Sequence, residues 1–272
     1  MLRARRQSSG FVLVALPLVA LAWVALWLWA ASPYGRYLDH GRWTEIGFAA
    51  GICSALPAGD VLLPGLLYVG GWVLMTAAMM LPTTLPLLEI VARIGAARRD
   101  GRLLLGLVIA GYLAVWSLFG LIAHLADLGL HALVPQSPWL TFNGWALGAA
   151  VLALAGLFQF SALKRRCLDA CRTPMTFVVQ HWRGEHQRRQ ALLLGAHHGV
   201  YCVGCCWALM LLMFVVGTGS VGWMLALGAV MAAEKNFSWG RRLSAPLGIG
   251  LLAWSAAIVL AETGMRSLGA PA

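Results

Sequence analysis

The chain has 272 residues, of which 60% are apolar and 11% charged, with a mean hydropathy of +0.77. Soluble domains are about one quarter charged, so a self-standing water-soluble fold is excluded. The net charge of +10 would suit a nucleic acid, but the Lys and Arg sit in short segments beside apolar runs. Anionic lipid headgroups are the partner that placement predicts, and nucleic acid is not expected.

Helices of about 20 apolar residues cross the ~30 Å hydrocarbon layer, and such runs recur along the chain. No alternating barrel-type strand pattern is present, so the expectation is an all-α polytopic bundle of about seven transmembrane helices. The first run covers residues 11–31 and exceeds the ~7–15-residue core of a signal peptide, so it reads as a retained helix. After a loop from Ser32 to Val61, the second covers 62–90, with Pro64, Pro82 and Pro86 predicting a kink or break. The third covers 103–126 and the fourth 141–160, followed by a cytoplasmic loop over 161–190. The last three cover 191–216, 221–233 and 245–262. Neither loop has the apolar content for a core of its own, so residues 1–272 form a single membrane domain.

Basic residues set the orientation. All of the 20 Lys and Arg except Arg36, Arg42 and Arg266 fall on one side of this topology. Short cytoplasmic segments collect such residues, which puts the N-terminus in the cytoplasm and the protein in an inner or plasma membrane.

In the second run, Trp72, Met75 and Met79 are about a turn apart and share a face. In the loop after the fourth run, Cys167 and Cys171 are four apart, so their thiols lie on one side of a helical turn. The surrounding Lys and Arg favour thiolate there, and a reducing cytoplasm disfavours a stable disulfide. The fifth run carries the densest chemistry, His197-His198-Gly199-Val200-Tyr201-Cys202-Val203-Gly204-Cys205-Cys206-Trp207-Ala208-Leu209-Met210. His198, Cys202, Cys206 and Met210 step by four, and Cys205 adjoins them. Met224 and Met231 in the sixth run are seven apart, again on one face.

Thiolate and thioether donors favour Cu(I), whereas zinc makes little use of thioether. A single methionine stripe is ordinary packing. Three cysteines and a histidine at helical spacing inside a membrane are not. His124, His131, His181 and His186 read as interfacial or solvated, Glu89 and the Glu234-Lys235 pair as ion pairs or headgroup contacts, and the tryptophans mostly as an interfacial belt.

Several segments together resemble a known family: Gly71–Pro82 (GWVLMTAAMMLP), Gly111–Trp116 (GYLAVW), Phe158–Pro174 (FQFSALKRRCLDACRTP), His198–Met210 (HGVYCVGCCWALM), Phe214–Gly217 and Trp223–Lys235. The chain is similar to the predicted metal-binding integral membrane proteins, first defined as a domain of unknown function. Some members are described as membrane copper chaperones that mature tyrosinase-type copper oxidases. The resemblance implies copper ligation by His198, Cys202, Cys205, Cys206 and Met210, with Met75, Met79 and Met80 opposite and Cys167 and Cys171 at the membrane edge. It also implies an apo-cuproenzyme client of the tyrosinase type.

The expected function is therefore a Cu(I) metallochaperone rather than an enzyme, since no nucleotide-binding loop or catalytic triad is present. The alternative is a quinone-linked thiol–disulfide oxidoreductase using the Cys202-x-x-Cys205 pair. That chemistry requires reactive thiols at the external surface and gives the methionines no task. Oligomeric state is left open by the sequence.

Overall fold

The computed structural model describes residues 17–32, 62–96, 98–182, 186–217 and 220–267. Residues 11–16 of the first run, most of the loop from Ser32 to Val61 with Cys53, and the basic residues of the N-terminus lie outside them. Among the described residues every regular element is a helix.

Helix α1 (Pro17–Ala30) docks through Ala22 and Leu26, four residues apart, and leaves Leu18, Leu21, Val24 and Trp27 exposed. The second run is broken as its prolines predict. Helix α2 (Leu62–Met79) ends in a 3-10 turn (Pro82–Thr84), and α3 (Leu85–Gly95) leaves at 46° to it. Thr76 O accepts from Met80 N at 2.8 Å and from Leu81 N at 3.2 Å, so the ladder widens just before the break. Thr83 and Thr84 hydroxyls then donate to Met80 O at 2.7 Å and Leu81 O at 2.8 Å. These bonds replace what proline removes, as an apolar setting demands.

Helix α4 (Gly101–Leu133) has 33 residues and is about 50 Å long at 1.5 Å per residue. It extends beyond the 103–126 expected. Helix α5 (Gly144–Phe158) turns by 63° into α6 (Ala162–Arg172), and α7 (Pro174–His181) follows. Residues 161–190, read from sequence as a loop, thus carry two helices. Ser161 accepts from Lys164 N at 3.0 Å as an N-cap, and Pro174 sits where a helix tolerates proline. The buried residues of α6 are Lys164, Cys167, Leu168 and Cys171, a helical stripe that the surrounding charges conceal in any average of hydropathy.

The chain closes with α8 (Gln187–Val216), α9 (Val221–Asn236) and α10 (Ser244–Ser267). Among the described residues three helices are long and apolar enough to cross a membrane, or up to five if each bent pair counts as one span. The expected seven included the 221–233 run, whose helix α9 has only 16 residues. Leu118, Ile122, Leu125, Leu157, Val200 and Leu260 are each more than half exposed, giving the bundle an apolar exterior that suits lipid.

Helix α8 is the centre, packed against α4, α5 and α6. It contains Gly195 and Gly199, a small-xxx-small pair that admits close backbone approach. A Cβ at Gly195 would overlap the Val108 carbonyl of α4, and one at Gly111 the Leu192 carbonyl of α8. Trp72 lies over Gly120 and donates from its indole nitrogen to Trp116 O at 2.9 Å. Trp72 and Trp116 are therefore core residues, not members of an interfacial belt.

Gly195→Ala is expected to lower unfolding stability in detergent by about 1–3 kcal/mol through overpacking. Gly106→Ala, where an added Cβ meets nothing within 4 Å, should be neutral or raise stability by up to about 1 kcal/mol. Equal effects at the two positions would contradict the close α4–α8 crossing.

Candidate metal centre

Because α8 is surrounded by other helices, each turn of its middle section faces protein. Cys202, Cys205 and Cys206 are each no more than 1% exposed, and Met210 and Met213 continue that burial. The Cys205 and Cys206 thiols donate to Cys202 O at 3.1 and 2.9 Å, a local back-bond that holds both sulfurs against the helix.

The break between α2 and α3 brings Met80 to this thiol face. Met80 Sδ lies 3.9 Å from Cys206 Sγ, a thiol–thioether contact between two helices. Met79 turns toward Gly228 of α9, and Met75 is buried in the same core. On the other side, α6 delivers its two cysteines. Cys171 is buried in the same core as Cys202 and Cys205. Cys167 packs on Gly204, where a Cβ would stand 2.6 Å from its sulfur. The five described cysteines are all free and buried, and they belong to one core with Met75, Met79, Met80, Met210, Met213, Met224 and Met231.

His198 is one turn before Cys202 and 3% exposed. Its ring lies edge-on to Phe177 at 5.4 Å and 6.0 Å from Tyr112, and its Nδ1 has no hydrogen-bond partner among the described residues. Tyr112 also adjoins the Cys202 sulfur, its hydroxyl 3.0 Å from Cys202 Sγ.

Three functional candidates escaped the sequence reading: Tyr112, Thr83 and above all Lys235. The Lys235 ammonium donates to Cys202 Sγ at 2.8 Å and Thr83 Oγ1 at 3.3 Å, and is 4.0 Å from Cys206 Sγ. It is 6% exposed, so it cannot be the headgroup contact expected of it. Its periodicity contained the signal. Met224, Gly228, Met231 and Lys235 step by four, three and four, which puts the lysine on the buried methionine stripe of α9.

The preceding residue faces the other way. Glu234 pairs with Lys164 at 2.8 Å, with both side chains no more than 3% exposed. Gln159 accepts from the same ammonium, and Ser244 donates to Glu234 Oε1 at 2.7 Å. Arg172 donates to Glu234 O and to Ser238 O, the latter at 3.1 Å. This ionic cluster ties α6, α9 and α10 together and fixes where Cys167 and Cys171 fall, with the Gln159 amide nitrogen left without a partner among the described residues.

Among the described residues no three His, Cys, Asp or Glu side chains are arranged to hold a metal ion. Cu(I) accepts soft sulfur donors, thioether included; the Cys206 thiol lies against the Met80 thioether, and Cys202 and Cys206 both adjoin the Lys235 ammonium in the same core.

Among the described residues the chain is an all-helical bundle with an apolar exterior and a core rich in thiols and thioethers. The chain belongs to the PpoB2 copper chaperone family, whose model matches residues 69–258. No curated protein and no solved structure matches it. Membership makes it a copper-handling protein of a chaperone family, with a copper protein as its client.

Removing one partner of a buried ion pair strands the other. Glu234→Ala is expected to cost about 3–5 kcal/mol of stability, because Lys164 loses the carboxylate that answers its charge. Glu89→Ala, which breaks the largely exposed pair to Arg93, should cost no more than about 1 kcal/mol. Chemical unfolding in detergent measures both, and a small effect at Glu234 would remove it as the anchor of α6.

Proposed function

We propose that this protein is a membrane metallochaperone that receives Cu(I) in a buried sulfur site and presents it to an apo-cuproenzyme. The observation that carries the reading is the contact of Cys206 with Met80 beside Cys202, a thiol–thioether pair contributed by separate helices. In this reading Cys202, Cys206 and Met80 form the primary site. Cys205, Cys171 and Cys167 continue the sulfur path toward α6, with His198 and Met210 one turn away on either side. Met75 and Met79 line the α2 wall rather than supply the first donors. Two or three soft donors, one of them a thioether, suit Cu(I) and disfavour zinc, which takes four thiolate, imidazole or carboxylate donors. The resemblance in sequence supports a tyrosinase-type oxidase as client.

The disulfide-relay alternative fares worse. A relay exchanges with outside thiols, yet each described cysteine is less than 10% exposed, and buried thiols are poor exchange partners.

The protein is proposed to lie in an inner or plasma membrane with its N-terminus in the cytoplasm, supported by the distribution of Lys and Arg. Reporter fusions at Gly95 and Ser137, beyond opposite ends of α4, should then report opposite compartments, Gly95 on the cytoplasmic side. A shared compartment would overturn that topology.

Reduced wild-type protein is expected to retain stoichiometric Cu(I) in preference to Zn(II), measured by competition with chromophoric chelators. Replacing Cys202, Cys205 and Cys206 together by Ser should abolish retention. Met80→Leu should change stability by less than about 1.5 kcal/mol while weakening Cu(I) retention and client loading. Wild-type copper binding in the triple variant would overturn the site.

A further inference from the structure

The Lys235 ammonium stands inside the sulfur cluster rather than at its edge. Its partners among the described residues are Cys202 Sγ, Cys206 Sγ and Thr83 Oγ1, and none is a carboxylate. Glu234, the adjacent acid, is committed to Lys164 on the opposite side of α9. An ammonium buried this deeply must be balanced locally, because an apolar core does not tolerate a residual charge. Among its described partners, the groups that can carry the balancing charge are the cysteine sulfurs.

We infer that Lys235 is the specificity-determining residue of the sulfur site: its fixed positive charge makes the site electrically complete with a monovalent soft cation and incomplete with a divalent one. The inference rests on the proposed Cys202–Cys206 site. Two thiolates contribute two negative charges and Lys235 one positive charge. A single Cu(I) or Ag(I) then brings the buried assembly to neutrality, while Cd(II), Zn(II) or Cu(II) leaves it with one excess positive charge. A divalent ion could recover neutrality by recruiting a third thiolate, but no three such donors among the described residues are arranged around one point. Softness alone does not give this discrimination, since Cd(II) is as thiophilic as the site requires. Charge does. The lysine also sits 2.8 Å from one sulfur and 4.0 Å from the next, close enough to act on both and unable, as an ammonium, to ligate the metal itself.

The test uses the full chain, purified in detergent under reducing, non-coordinating conditions. It is exposed to Ag(I) and Cd(II) together, desalted, and analysed for both metals. Ag(I) stands in for Cu(I) with the same charge and no redox chemistry. Wild type is expected to retain Ag(I) and little Cd(II). Lys235→Met, close in volume but neutral, should lower the ratio of Ag(I) to Cd(II) by about tenfold or more, because the uncompensated charge is now left by the monovalent complex. Lys235→Arg should keep the wild-type ratio. Lys235→Gln, which retains a donor for Cys202 and Thr83 without the charge, should behave like Lys235→Met and serves if the methionine variant does not fold. The inference is overturned if wild type takes Cd(II) as readily as Ag(I), or if a folded neutral variant keeps the wild-type ratio. A wild type that retains neither metal overturns the sulfur site itself, a separate failure from loss of discrimination.

Discussion

A lysine ammonium buried among cysteines, with no carboxylate among its described partners, is the constraint on which the centre of this protein depends. Removing such a cation from water costs several kcal/mol unless its new surroundings answer its charge. Lys235 is answered by Cys202 and Thr83. That requirement fixes the register of α9 against α8 and against the break between α2 and α3. Neighbouring residues on a helix point about 100° apart, so the next acid, Glu234, reaches a different partner, Lys164 of α6. One dipeptide thereby sets two interfaces, and the cysteines of α6 and α8 meet between them.

The proline break has a comparable role. In a straight helix over 62–90, Met80 would stand about 100° around the axis from Met79, with its carbonyl tied into a regular ladder. Instead the widened turn after Thr76 and the 3-10 turn that follows present the Met80 thioether, the Met80 carbonyl and the Thr83 hydroxyl together. Tyr112 of α4 also approaches the Met80 carbonyl, at 3.4 Å, while its hydroxyl adjoins Cys202. Broken backbone in an apolar core is tolerated where its polar groups find partners in the protein, and here the Met80 and Leu81 carbonyls are taken up by Thr83 and Thr84 beside the buried sulfurs.

For a protein of a copper chaperone family, such a site has a functional logic. A carrier must hold its metal firmly enough to exclude other ions and loosely enough to release it. In the proposed site few, soft donors would accomplish the second, and the fixed charge of Lys235 would contribute to the first without adding another bond to the metal. The remaining thiols, spread from Cys205 to Cys167, provide sulfur continuously between the helices rather than a closed cage.

The all-helical apolar class, the broken second run and the cysteine-rich face of α8 were legible in the chain alone, because helix length, proline chemistry and a four-residue spacing are local properties. Cys167 and Cys171 stood out as well, though in a segment read as a loop; the Ser161 cap and the stripe Lys164, Cys167, Leu168, Cys171 were hidden by charged neighbours. That the Met80 sulfur reaches a thiol follows from packing, since its placement depends on the bend after Thr76. The same holds for Lys235 and Tyr112. A charged residue near the end of an apolar run is locally indistinguishable from a headgroup anchor, and whether it faces lipid or sulfur is settled by the helices packed around it.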